Sequence, residues 1–189
     1  MPVRPVRPPL HLVMTPPQGQ AAAPAPVTLE SAFRSYSGYV AAIAHKLLGR
    51  DDEIDDVVQD VFLAALRGLR NLRHPRAIKQ WLATVAVRVA TRRLRMRKLK
   101  GWLGFGFARG ASYEEVAAPG ASPEQRALLC CVYAALDDLP VAERIAWTLR
   151  FVEGERLDAV ARLCGCSLAT AKRRIAAAHA ALEKVLLHE

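Results

Sequence analysis

The chain is poor in aromatic residues. It has three Trp, four Tyr and five Phe, or 6% of 189 residues. Its core must therefore be built mainly from Ala, Leu and Val, and the abundance of Ala, Leu and Arg favours helix. Few segments alternate with period two, so strands are not expected. No apolar run is long enough to span a bilayer. At the N-terminus, Arg4 and Arg7 precede Leu10-His11-Leu12-Val13-Met14, which is too short and too closely flanked by proline for a signal-peptide core. A cytosolic chain is expected. Cysteine is also scarce. Cys130, Cys131, Cys164 and Cys166 stand adjacent or one apart, which is poor disulfide geometry, and no His lies at zinc-finger spacing from them. They read as reduced, partly buried small apolar residues. A thiol-based redox or metal sensor is the alternative, supported by nothing beyond the sulfur itself. No metal or cofactor is expected.

Negative charge is missing from one long stretch. From Arg67 to Arg109 there are thirteen Lys or Arg and no Asp or Glu. Just upstream, residues 51–60 hold six acids in ten. The net charge of +9 is thus distributed as +2 over residues 1–29, −4 over 30–66, +13 over 67–110, −2 over 111–122 and 0 over 123–189. Opposite blocks side by side point to two partner surfaces, one polyanionic and one basic. Nucleic acid is the obvious polyanion, because neutralising phosphates releases counterions. An anionic membrane surface fits the charge alone.

Residues 1–28 contain eight of the twelve prolines. Such a segment cannot bury enough apolar surface to offset its ordering entropy, and a disordered tail is expected. Residues 29–48 read as a helix with Phe33, Tyr36, Val40, Ile43, Ala44 and Leu47 on its apolar stripe, stopped by Gly49. Asp51 or Asp52 is placed to cap a second helix, whose stripe is Ile54, Val57, Val58, Val61, Phe62 and Ala65. A basic turn follows from Gly68 to Pro75. A long helix is expected over 77–99, with Ile78, Trp81, Leu82, Val85 and Val89 inward. Trp81 belongs to that core stripe rather than to a stacking platform. Thr84, Arg88, Thr91 and Arg95 share one face. Gly101, Gly104, Gly106 and Gly110 break helix and mark residues 101–122 as a linker. Helices resume after Ser122-Pro123, a cap followed by proline at the first helical position. Leu128, Leu129, Val132, Ala135, Leu136 and Leu139 form one stripe. Ile145, Leu149 and Val152 point inward from the next helix.

The strongest local motif spans residues 157–175. A short helix, the turn Cys164-Gly165-Cys166 and a helix capped by Ser167 follow helix-turn-helix logic. Ala171, Ile175, Ala178, Leu182 and Val185 would hold the second helix to a core. Thr170, Lys172, Arg173 and Arg174 are then left to meet a DNA groove.

These residues carry a family resemblance. The run from Leu136-Asp137-Asp138-Leu139-Pro140 to Leu182 resembles region four of bacterial sigma factors. Phe33 to Tyr39, Asp55-Asp56-Val57-Val58-Gln59-Asp60-Val61-Phe62 and Trp81-Leu82-Ala83-Thr84-Val85-Ala86 resemble region two. Two regions and a short linker, without a middle domain, is the layout of the extracytoplasmic-function group. The resemblance implies an all-α fold of two small helical domains joined by a flexible linker. Residues 29–100 would bind core polymerase and the minus-ten element, residues 101–122 would be the linker, and residues 123–189 would bind the minus-thirty-five element. It also implies three sites. Asp56, Gln59, Asp60, Phe62 and Leu66 would grip the clamp helices of the largest polymerase subunit. Asn71, Leu72, Arg73, His74, Lys79, Arg88, Arg92 and Arg95 would open and hold minus-ten DNA. Ser167, Thr170, Lys172, Arg173 and Arg174 would read minus-thirty-five DNA. The linker, with Glu114 and Glu115, would follow the polymerase's RNA path.

Four positions depart from the family pattern: Arg88 replaces a common Asn, Arg92 a common Asp, Ala169 a common Gly and Arg173 a common Ser. The first two add phosphate grip, and the last implies a changed promoter preference. The implied partners are RNA polymerase core, promoter DNA as duplex and as melted strand, and an anti-sigma factor that could hold the protein at the inner membrane face. No small-molecule substrate and no catalytic residue are implied. Two other classes are open. One is a stand-alone helix-turn-helix regulator, which has no use for the acidic 55–62 face. The other is a metal-dependent nuclease holding Mg²⁺ between Asp52 and Asp56, which no catalytic Lys or His accompanies.

Overall fold

A computed structural model describes residues 28–49, 52–69, 77–103, 113 and 120–186. The proline-rich segment 1–27 lies outside them. The described residues form seven helices: α1 (Leu29–Leu48), α2 (Ile54–Gly68), α3 (Ile78–Trp102), α4 (Pro123–Asp138), α5 (Val141–Phe151), α6 (Leu157–Leu163) and α7 (Leu168–Leu186). No strand occurs among them.

Local chemistry explains several of the helix ends. Thr28 and Ser31 close a reciprocal capping box on α1, and Ser122 with Gln125 closes another on α4, with Pro123 in the first turn. Gly49 ends α1 in the left-handed region at φ 72°, its N–H donating to the His45 carbonyl at 2.7 Å. At α2 the expectation of an Asp cap is not met. Glu53 occupies the cap position without a side-chain bond, and it pairs instead with Arg97 of α3 at 2.9 Å. The acids Asp55 and Asp56 still stand in the first turn, where they suit the helix dipole. Helix α3 passes through Gly101 to Trp102, beyond the expected stop, and the Leu103 N–H donates to the Leu99 carbonyl at 3.0 Å. One glycine in a helix costs only about 1 kcal/mol, less than an established helix supplies.

The α3 stripe is the main misreading of periodicity. Ile78, Leu82 and Val85 are buried as expected, but so are Ala83, Ala86, Val87, Ala90 and Leu94, whereas Val89 and Trp81 are only partly covered. The cause is position: α3 packs against α1 and α2 on one side and against α5 and α6 on another. A helix clasped from several sides has no single apolar stripe. Phe33 also departs from expectation. It is half exposed and meets Phe62 edge-on, with ring centroids 4.9 Å apart.

One hydrophobic core runs through both halves. It joins Leu47, Val57, Val61, Leu82 and Val87 to Ile145, Leu149, Val160, Ala171 and Ile175. A smaller core gathers Tyr113, Tyr133, Leu136, Leu139, Ala178 and Leu182. The seam also carries polar contacts. Arg144 of α5, 1% exposed, donates through Nη2 to the Leu48 carbonyl at 3.0 Å and to that of Leu47 at 3.3 Å, and through Nη1 to Asp137. Tyr133 donates to the Lys46 carbonyl at 2.8 Å. Lys98 donates to the Leu139 carbonyl. Burial, and then the charge of Arg144, hold the Lys98 ammonium below its ordinary range. A buried guanidinium is tolerable only with its partners, and removing one side of such a pair typically costs about 3–5 kcal/mol.

Two predictions follow from this packing. A Cβ on Gly68 would lie 2.4 Å from the Trp81 ring. Gly68→Ala should therefore cost about 1–3 kcal/mol of stability, read as a lower urea midpoint at an unchanged m-value. Burial pushes the Tyr113 and Tyr133 phenols up to about 12. Because their folded values exceed the unfolded value of 10.0, their contribution to stability is complete below that pH. It is lost as the pH climbs towards 12. A Tyr133→Phe variant should show a shallower loss of stability across this window in urea titrations.

Candidate nucleic-acid and protein interfaces

Three charged surfaces emerge from the fold. The first is the outer face of α2. Asp56 and Gln59 are exposed and Asp60 is half-buried, on the side opposite the core residues Val57, Val61 and Ala65. Leu63 and Leu66 continue this face at helical spacing and are half exposed. Phe62 requires correction as a contact residue. It is 5% exposed and lies beneath Phe33, so its ring belongs to the core. Leu63 joins this face by its spacing from Asp56, Gln59 and Asp60, a signal present in the sequence. The acids are also partly answered from within. Arg93 of α3 donates to Asp60 at 2.8 Å and stands 3.7 Å from Asp56. The hydrogen bond to Asp60 raises the Arg93 pKa above its ordinary value.

The second surface lies along α3. Arg88, Arg92 and Arg95 are exposed at steps of four and three residues, so they form one cationic face. Thr84 and Thr91 stand on the same side, their hydroxyls donating to the carbonyls of Gln80 at 3.0 Å and Val87 at 2.6 Å. Lys79 lies over the Tyr39 ring, 4.6 Å from its centroid. Beside it, Tyr39, Gln80, Trp81, Thr84, Glu155 and Arg162 line a cleft of about 310 Å³ between the start of α3 and α6. Burial, followed by the charges of Glu155 and Glu153, raises the Tyr39 pKa. Asn71, Leu72, Arg73 and His74 lie outside the described residues.

The third surface is the start of α7. Gly165, at φ 60°, makes the tight turn after α6, and the Cys166 N–H donates to the Ala161 carbonyl at 3.0 Å. Ser167 Oγ accepts the Thr170 N–H at 3.2 Å and lies 2.9 Å from the Thr170 hydroxyl. These two residues therefore serve first as the helix cap. Ala171, Ile175, Ala178 and Leu182 are buried and anchor the helix. Lys172 and Arg173 are exposed and Arg174 is half-buried. The geometry is that of a supported helix presenting cations from its first two turns.

The remaining candidates are less eventful. Asp52 and Asp56 belong to no group of three or more metal-ligating side chains among the described residues. The four cysteines are free and partly buried. Burial pushes the Cys164 thiol up to about 11, which leaves little reactive thiolate at neutral pH. No described helix is long and apolar enough to cross a membrane.

Comparison with known proteins agrees with this arrangement. Residues 32–100 match Sigma-70 region 2, and residues 131–182 match Sigma-70 region 4. The chain is 29% identical over 154 residues to the ECF RNA polymerase sigma factor SigM of Mycobacterium tuberculosis, covering 82% of this chain and 74% of that protein. It is 27% identical over 155 residues to the ECF RNA polymerase sigma-E factor of Escherichia coli, covering 78% and 81%. It is 29% identical over 167 residues to the RNA polymerase sigma-H factor of Pseudomonas aeruginosa, covering 81% and 86%. Among solved structures, the fold resembles the sigma factor RpoE in complex with the anti-sigma factor NepR from Bartonella quintana. That likeness has a TM-score of 0.60 and 22% identity over 83% of this chain and 95% of that one. CnrH in complex with the cytosolic domain of CnrY is similar at a TM-score of 0.53 and 22% identity, covering 85% and 88%. A region-two segment followed by a region-four segment, on a shared helical fold and with relatives along most of its length, makes the chain a member of the extracytoplasmic-function sigma factors.

Proposed function

We propose that the chain is a promoter-specificity subunit, which binds RNA polymerase core and directs promoter recognition, melting and the start of transcription. The carrying observation is the pairing of two sigma regions, in order, with separate acidic and cationic faces. The outer face of α2, through Asp56, Gln59, Asp60, Leu63 and Leu66, is assigned to a basic, partly apolar protein surface on the polymerase clamp. Arg88, Arg92 and Arg95, with Lys79, are assigned to the phosphates and unstacked bases of the melted minus-ten strand. Stacking and backbone contacts must there offset the few kcal/mol of unstacking. Lys172, Arg173 and Arg174 are assigned to the major groove of the minus-thirty-five duplex.

The protein performs no bond chemistry of its own in this reading. Its work is differential binding to closed and melted promoter, carried out in the cytoplasm beside the polymerase. An anti-sigma factor is the controlling partner we propose, since the structurally similar sigma factor RpoE is solved in complex with the anti-sigma factor NepR.

Run-off transcription with purified core on a promoter from the gene's own upstream region tests this reading. An Asp56→Ala/Gln59→Ala variant should bind core roughly 30-fold more weakly, as loss of about 2 kcal/mol at a hot spot implies, and transcript should fall with it. Duplex binding without transcript, unaffected by the variant, would instead favour the stand-alone regulator. The groove assignment has its own signature. With holoenzyme, Lys172→Ala should reduce the slope of log affinity against log salt by about 1 on every sequence tested. Arg173→Ala should shift preference among minus-thirty-five variants by about 1–3 kcal/mol.

A further inference from the structure

The last two turns of α3 present a surface that the proposed function leaves unused. Four large apolar side chains stand out of the fold there: Met96 at 46% exposure, Leu99 at 47%, Trp102 at 83% and Leu103 at 53%. At roughly 100° per residue they fall within one arc of about 120°. Over the preceding turns the same arc carries the exposed Arg88, Arg92 and Arg95. The face is therefore one stripe, cationic at its start and apolar at its end.

This stripe is distinct from the side of α3 that packs. Ala90 and Leu94 are buried on the opposite side. Arg93 and Arg97 turn towards α2, where they pair with Asp60 and Glu53. The end of α3 thus has an inner side that fastens it to the fold and an outer side turned to solvent.

A contiguous set of exposed apolar side chains marks a contact surface. Here the residue types point to its occupant. Leu, Met and Trp gain most by entering hydrocarbon, and a nucleic-acid strand offers them few apolar groups. Trp in particular settles where lipid headgroups meet acyl chains. From Arg88 to Lys100 the sequence has seven Lys or Arg and no Asp or Glu, so the complementary bilayer is an anionic one. No described helix is long and apolar enough to cross a membrane, so the contact is peripheral. Neither signal suffices alone. A few apolar side chains give marginal binding, and cations add attraction only close to an anionic surface.

We propose that the outer face of the last two turns of α3 docks on an anionic lipid bilayer. Leu99 and Trp102 enter the interface, and Arg92 and Arg95 meet the headgroup phosphates. These two arginines cannot hold lipid phosphate and strand phosphate at once. Docking therefore excludes melted DNA from this face, a consequence that rests on the sigma-factor reading.

Flotation of the full-length chain with lipid vesicles tests the docking without polymerase or DNA. Wild type should float with phosphatidylcholine vesicles that contain phosphatidylglycerol, and not with phosphatidylcholine alone. Binding should weaken as salt rises. Tryptophan emission should shift to the blue on binding, and Trp102→Phe should lose most of that shift while still floating. Leu99→Ser/Trp102→Ser should lose roughly tenfold or more in vesicle affinity, with unchanged circular dichroism because both side chains are exposed. Arg92→Gln and Arg95→Gln should each lose about fivefold. A wild type that ignores the anionic vesicles, binds neutral ones equally well, or floats no better than the Leu99→Ser/Trp102→Ser variant would overturn the proposal. So would a wild type that ignores vesicles while the double variant loses affinity for a single-stranded oligonucleotide or breaks a dimer, since the apolar end would then serve a strand or a second copy. In run-off assays, phosphatidylglycerol vesicles should lower transcript from wild type and spare the double variant, which keeps every cation. Equal inhibition of both, or of neither, would overturn the exclusion of DNA. Absence of transcript before vesicles are added would count against the sigma-factor reading and leave the flotation result standing.

Discussion

A single buried guanidinium organises this molecule. Arg144 sits where the C-terminal carbonyls of α1 concentrate partial negative charge, and it is the cation that such a helix end favours. Without Arg144 the Leu47 carbonyl would lose its side-chain donor, and that of Leu48 would keep only Arg97 of α3 at 3.4 Å. Without the carbonyls and Asp137, the charge would be buried alone. Each side of the seam thus makes the other tolerable, and the apolar core can close over both. The continuity of that core from Leu47 and Leu82 to Ile145 and Val160 depends on the carbonyls being satisfied at its edge.

The same seam holds a second cation. Lys98 is drawn into it, where burial first, and then the like charge of Arg144, lower its pKa. Two cations held in one partly buried contact disfavour it, whereas Asp137 and the helix-end carbonyls favour it. The contact is thus a balance of opposed charges at the edge of a shared apolar core.

Much of this was legible in the sequence and some was not, for a consistent reason. The helices are legible from apolar periodicity, and the ends of α1 and α4 also from signals within four residues: Thr28 to Ser31, Ser122 to Gln125, Gly49 to His45. The turn around Gly165 and the anchors Ala171, Ile175, Ala178 and Leu182 were visible for the same reason. The stripe of α3 was misassigned because its neighbours come from distant parts of the chain. The resemblance puts Phe62 in the polymerase contact, whereas its spacing with Val57 and Val61 places it on the apolar stripe, and it is buried. Tyr133 and Arg144 escaped notice altogether. Their partners lie 87 to 97 residues away, and nothing local distinguishes an arginine that caps a remote helix from one that faces water.

The basic block shows how much the fold alters a charge count. Read linearly, residues 67–110 carry +13 and look like one uniform cationic surface. Helix geometry divides them. Arg93 and Arg97, four residues apart, share a face turned towards α2, where they pair with Asp60 and Glu53. Arg88, Arg92 and Arg95 fall on another side and are exposed. The two inward arginines therefore lower the net charge of the acidic face and fasten it to α3, while the outward ones carry the field that a polyanion would feel. Substituting an inward arginine would strip a counter-charge from the α2 surface and loosen its attachment. Substituting an outward one would change only what the molecule presents to solvent. The opposite blocks seen in the sequence are thus partly each other's partners, and the surface left for nucleic acid is the remainder after that internal pairing.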